Sequence, residues 1–152
     1  MSEEIFDDPR YLQHYGNHKK AVKFFISASK LSFDELEDHQ IDSLVLLTES
    51  SVMRDALLVA LCHTKEENID AIENLLLNLY QVKDSGTAPI ASMLSAIYCI
   101  KDETFLARRW VNLSLAQDPY YKFAMLLDYA FEQSMSTQLV AETLIALLDT
   151  DF

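Results

Sequence analysis

The sequence predicts an all-α protein built from antiparallel helical hairpins, and three observations carry that prediction. Only 2 of the 152 residues are glycine and 3 are proline, which leaves little material for tight β-turns. Half of the residues are hydrophobic, and they recur three and four apart rather than alternating, the period of a helix with one buried face. Helix-start signatures also recur, in which Ser or Thr precedes an acidic residue by three, or Asp directly precedes Pro.

The acidic segment Met1–Asp8 reads as a loose tail. Asp8-Pro9 opens a short helix that stops near Gly16-Asn17, where a left-handed cap or a turn is easy. The next helix places Ala21, Phe24, Phe25, Ala28 and Leu31 on one face. Ser32-Phe33-Asp34-Glu35 reads as a capping box, with Leu31 and Leu36 spaced as a hydrophobic staple, and its helix is expected to run to about Glu49. Ser50 or Ser51 caps a helix with Met53, Ala56, Leu57, Ala60 and Leu61 inward. A second box, Thr64 to Glu67, leads into Ile69, Ile72, Leu76 and Leu79, and Lys83–Thr87 is a loop.

Three helices then follow one another between Ala88 and Phe131, the stretch around which the chain is organised. The first two meet at Asp102. The third opens at Asp118-Pro119, with Asp118 as its cap and Tyr120, Phe123, Ala124, Leu127 and Phe131 inward. A turn at Ser134–Ser136 precedes a last helix carrying Val140, Leu144 and Leu147, which ends near Asp149. At most eight short helices joined by short turns make a bundle or a short array. Leu94, Tyr98, Ala107 and Pro119, with Ala91, Ser95, Val111 and Ser114, fit a tetratricopeptide-like C-terminal half. A single helical hairpin under the same small-residue packing rule explains them equally well.

The stretch Val52–Leu58 (VMRDALL), the Ala88-Pro89 helix opening and the run from Asp118-Pro119 through Tyr121, Ala124 and Leu127 together carry a family resemblance. This region, residues 41–131, resembles the helical C-terminal part of an actinobacterial domain of unknown function, the one numbered forty-one ninety-two. The resemblance implies an actinobacterial or phage origin and carries over no catalytic role.

On length the chain is one domain, residues 1–152, able to bury roughly 70% of its unfolded surface. Its 12 basic and 24 acidic residues give a net charge of −12, a surface that repels nucleic acids and anionic membranes. No run of about 18 apolar residues predicts a transmembrane span, and the acidic start is unlike a signal peptide. Cys62 and Cys99 lie in apolar helical patterns as reduced thiols, which fits the cytoplasm.

No phosphate loop, dinucleotide fingerprint or nucleophile elbow occurs. The Glu-x-x-His element of di-iron bundles is also missing, since the residues three before His14, His18, His39 and His63 are Tyr11, Tyr15, Leu36 and Ala60. His14 and His18 have metal-ligand spacing, but Gly16 and Asn17 interrupt the helix between them. His39 follows an acidic cluster and suits a solvated ion pair. Cys62 and His63 are neighbours on a helix and point about 100° apart, unlike a nucleophile and its base. No metal or cofactor is expected.

The interaction candidates are Arg54, read first as a structural ion pair to a neighbouring helix, and the Arg108-Arg109-Trp110 run, with Trp110 mostly core. Lys19 and Lys23 belong to the one basic stripe, with Lys20 and Lys30. The expected function is a non-enzymatic protein-interaction module whose partner is a protein, in the simplest version a second copy, with no direct nucleic acid and no membrane. One alternative is an acidic inhibitor or nucleic-acid mimic, phage-borne in one version, presenting a row from Asp34 to Asp42. The other is a small-anion enzyme with Arg54, Arg108 and Arg109 converging.

Overall fold

The computed structural model describes residues 4–146, and no strand occurs among them. The chain is all-α. The described residues divide into two compact units, one formed by 4–78 with 144–146 and the other by 79–143.

In the first unit α1 (Glu4–Asp7), α2 (Pro9–Tyr15), α3 (Lys19–Ser29), α4 (Asp38–Thr48) and α5 (Ser51–Cys62) follow in order. α5 is the centre, packed by α2, α3 and α4. Ser50 Oγ accepts the Met53 N–H at 3.2 Å, the expected cap. Beyond the expected inward face, Leu58 and Val59 are buried too, so α5 is enclosed on more than one side. The Tyr11 hydroxyl donates to the Ala56 carbonyl at 2.8 Å, fully inside, and this bond straps α2 onto α5.

The start of the chain corrects the expectation of a loose tail. Ile5 and Phe6 are buried, and Phe6 meets Tyr11 edge to face with ring centroids 5.6 Å apart. Two large apolar side chains among the acidic residues are enough to dock one helical turn, a geometry favoured by aromatic quadrupoles. Residues 1–3 of that segment lie outside the described residues. Asp8 caps α2 as expected, accepting the Arg10 N–H at 2.8 Å. Gly16, however, is right-handed (φ −56°) and begins a 3-10 turn, Gly16–His18, that runs directly into α3. On α3 the buried residues are Val22, Phe25, Ile26 and Ala28, while Leu31 is exposed. The inward face is therefore rotated from the expected one toward Val22 and Ile26.

The Ser32 capping box forms, with the Ser32 N–H donating to Glu35 Oε1 at 2.9 Å, yet it opens only the 3-10 turn Phe33–Glu35. Leu36 then turns extended (ψ 134°) to bury its side chain. A second box, Glu37 N–H to Gln40 Oε1 at 2.9 Å, starts α4 at Asp38. The long helix α6 (Glu66–Val82) buries Ile69, Ile72, Leu76 and Leu79 as expected. It begins past Thr64, whose hydroxyl accepts from the Asn68 side chain at 2.8 Å instead of capping the backbone.

The second unit is built on α7 (Ala88–Ile100), in which every residue from Ile90 to Cys99 is buried. α8 (Thr104–Gln117) and α9 (Lys122–Glu132) both pack against it, α8 most closely. The close approach has a sequence cause. Ser95 Oγ donates to the Ala107 carbonyl at 2.6 Å and Ser114 Oγ to the Ala88 carbonyl at 2.8 Å, so each small side chain bonds the facing helix's backbone. Leu94, Tyr98 and Ala107 are buried here. Small-residue packing accounts for the closeness of this one hairpin.

α7 ends in a left-handed cap. Asp102 has φ +59°, with Glu103 N–H bonded to the Tyr98 carbonyl at 2.8 Å and Asp102 N–H to Cys99 at 3.1 Å. That is the Schellman arrangement usually given to glycine. Asp102 keeps its side chain for another bond: its Oδ1 accepts from Thr137 Oγ at 2.6 Å, at the start of α10 (Thr137–Ala146). α9 closes in the same way at Ser134, φ +62°. The expected end of the last helix near Asp149, with Leu147, lies outside the described residues.

The Asp118-Pro119 junction also differs from expectation. Asp118 Oδ1 accepts the Tyr120 N–H at 3.0 Å and its carbonyl accepts the Tyr121 N–H at 3.1 Å. The four residues 118–121 thus form a turn with Pro119 second, the favoured site for proline. α9 starts only at Lys122, and Tyr120 is exposed. Asp118→Ala removes one bond in an exposed turn, so chemical denaturation should register a loss of about 0.5 kcal/mol. A loss well above 1 kcal/mol would mean that the carboxylate caps the helix after all.

Candidate interaction surface

α8 turns Ala107, Trp110, Val111 and Ser114 inward. The opposite face, Phe105, Arg108, Arg109, Asn112 and Leu113, lines an open cleft of about 490 Å³. These positions recur at i, i+3, i+4, i+7 and i+8, one continuous helix face. Phe105 is 77% exposed. α9 behaves alike: Ala124, Leu127 and Phe131 are buried, whereas Met125, Leu126 and Tyr129 are exposed, Leu126 by 67%. Lys122, Met125 and Leu126 line a second, shallower cleft of about 370 Å³.

The candidate residues are placed as follows. Arg108 Nη2 donates to the Phe131 carbonyl at 3.2 Å, and its guanidinium lies 5.0 Å above the Phe131 ring. It is a cation at the C-terminal end of α9, where the helix dipole favours positive charge. Arg109 is exposed beside it. Trp110 is core, packed edge to face on Tyr80 with centroids 4.9 Å apart.

In the first unit Arg54 bonds its sequence neighbour: Asp55 Oδ1 sits 2.9 Å from Nη2 and 3.0 Å from Nε. Burial, and secondarily the charge of Asp55, raises the Tyr15 phenol above its ordinary range. Lys23 lies 5.4 Å from the Phe6 ring centre. Of the basic stripe, Lys19 and Lys23 are half-buried and Lys20 and Lys30 are exposed.

His14 and His18 fall on opposite sides of the break at Gly16. Among the described residues no three His, Cys, Asp or Glu side chains are grouped to hold a metal ion. His39 pairs with Glu37 at 3.2 Å, both exposed. No helix among the described residues is long and apolar enough to cross a membrane.

Burial pushes the Cys62 and Cys99 thiols up from 9.0 to about 12, and burial likewise raises Tyr11. These groups must stay neutral in the folded chain. The contribution of the two thiols to stability is therefore complete below pH 9 and lost as pH rises from about 9 to 12. The denaturation midpoint should fall across that window, and labelling of the buried Cys99 at pH 8 should be slow until denaturant is added. Immediate labelling of Cys99 in the folded protein would contradict its burial.

The sequence pattern pointed to Arg108 and Arg109 but missed Phe105, Met125, Leu126 and Tyr129. The available signal was the excess of apolar residues in α9, more than one buried stripe requires.

A family model described as a domain of unknown function (DUF4192) matches residues 12–138. The match begins in α2, well before the region 41–131 singled out by the resemblance. No curated protein and no solved structure matches the chain.

Proposed function

Since the chain belongs to the DUF4192 family, matched over most of its length and described only as of unknown function, we propose a role from its surface: a non-enzymatic protein-interaction module. The observation that carries this reading is the exposure of Phe105, Tyr120, Met125, Leu126 and Tyr129 on and between two consecutive helices. Isolated exposed apolar residues need no explanation, but five on and between two consecutive helices, three of them aromatic, are the composition of a docking surface. The same chain has buried α5 and α7 almost completely, so a lack of core space does not account for it.

The alternatives have less support. In the small-anion enzyme, Arg54 is already tied to Asp55 and Arg108 to Phe131. In the acidic mimic, Glu35 is bonded to the Ser32 N–H and Glu37 to His39, which draws two carboxylates of the row into local contacts.

The test is affinity purification of the tagged full chain from its host, beside a Phe105→Glu/Leu126→Glu variant that charges the exposed faces of both α8 and α9, with sedimentation of both. The reading expects a stoichiometric partner, or a dimer, with the wild type and its loss with the variant. Recovery of nothing by the wild type, together with a monomer in sedimentation, overturns the reading.

A further inference from the structure

We propose that the α8 cleft is the seat of an acidic amphipathic helix of a partner protein, laid along Phe105, Arg109, Asn112 and Leu113. This rests on the interaction-module reading and goes further by naming the ligand's chemistry. Helix-in-groove recognition needs an apolar contact repeated at about one-turn intervals. Phe105 and Leu113 provide apolar contacts two turns apart on α8, and the aliphatic stem of Arg109 covers the turn between them.

Charge selects the partner's sign. In a chain of net charge −12, α8 holds Arg108 and Arg109 and no acidic residue. Its local balance is 2 − 0 = +2, which leaves −14 for the rest of the chain. The acidic pair Asp102-Glu103 stands just before the N-terminal end of α8, so the partner's carboxylates belong opposite its middle, over Arg109.

The two arginines are not equivalent. Arg108 is held by the Phe131 carbonyl and ring, which fixes one wall of the cleft. Arg109, exposed one residue further on, is the contact that reads an incoming carboxylate. Asn112, one turn later, adds both a donor and an acceptor. Phe105 is the anchor, since aromatic side chains supply large contact area at low entropic cost and dominate measured hot spots.

A display library of amphipathic helices, with a fixed leucine stripe and randomised flanks, is selected against the purified full chain. The expected result is enrichment of Asp and Glu flanks. Binding of the winners should fall about tenfold or more in Arg109→Glu and in Phe105→Ala, weaken with salt, and survive Leu126→Glu. All three positions are exposed, and circular dichroism confirms that each variant is folded.

Enrichment of basic flanks, or winners indifferent to both Arg109→Glu and Phe105→Ala, overturns the proposal. So does failure of any helix to enrich. Winners lost only in Leu126→Glu overturn the α8 site while leaving the interaction-module reading intact, with α9 as its surface. An anionic nucleotide that displaces the winners, and itself binds in an Arg109-dependent manner, would reassign the cleft to a small ligand.

Discussion

Replacing Leu94 with alanine should destabilise the folded chain by about 3–5 kcal/mol. Leu94 is fully buried in the middle of α7, and its neighbours from Ile90 to Cys99 are all buried as well. The cost of such a truncation is the lost transfer energy plus a cavity term, and the cavity term is largest where surroundings cannot collapse. Here α8 and α9 both rest on α7, and the serine bonds to Ala107 and Ala88 fix the spacing of the α7–α8 pair. Urea denaturation of the variant measures the effect. The exposed leucine at 126 is the control, and Leu126→Ala should change stability by no more than about 0.5 kcal/mol. A Leu94→Ala loss close to that of the control would show that α7 is not the core of its unit.

Enlarging Ser95 should be comparably damaging for the opposite reason. Ser95 is fully buried and lies against the Ala107 backbone, with its hydroxyl 2.6 Å from the carbonyl oxygen. A leucine there must push α8 away from α7, and it also forfeits the hydrogen bond, so Ser95→Leu should cost about 3 kcal/mol or more. Ser95→Ala removes only the bond. The Ala107 carbonyl, inside a helix, retains its own helical partner, and the loss should be about 1 kcal/mol. Thermal unfolding of the pair separates volume from hydrogen bonding. Equal losses would mean that the helices are not in close contact at this position.

The helical class, the core of α5 and the central place of α7 were legible because they depend on signals that add along a segment. Low glycine, period-3.6 burial and caps at Asp8 and Ser50 agree with one another there. Local motifs taken alone were less informative. The Ser32 box is real, but burying Leu36 requires an extended residue, and this ends the turn after Glu35. At Asp118 an Asx bond and proline's fixed φ serve a turn as readily as a helix start, so both readings share one sequence. The candidate surface was the hardest to see. α9 reads FAMLLDYAF from Phe123 to Phe131, and periodicity offers two apolar stripes without saying which one meets a neighbour. Only packing on α7 and α8 assigns Ala124 and Leu127 inward and leaves Leu126 and Tyr129 outside.

The serine-stitched hairpin also bears on the order in which the chain assembles. Its two bonds join residues 12 and 26 positions apart, whereas the strap from Tyr11 to Ala56 closes a span of 45. Closure entropy grows with the logarithm of loop length, so the strap costs about 1 kcal/mol more to close than the shorter stitch. Contacts between near neighbours in sequence form early, and distant ones wait for structure already in place. Folding of the second unit therefore starts at the turn between Ile100 and Thr104, where Asp102 reverses the chain. On the same ground, α2 is expected to reach α5 only after the α7–α8 hairpin has formed.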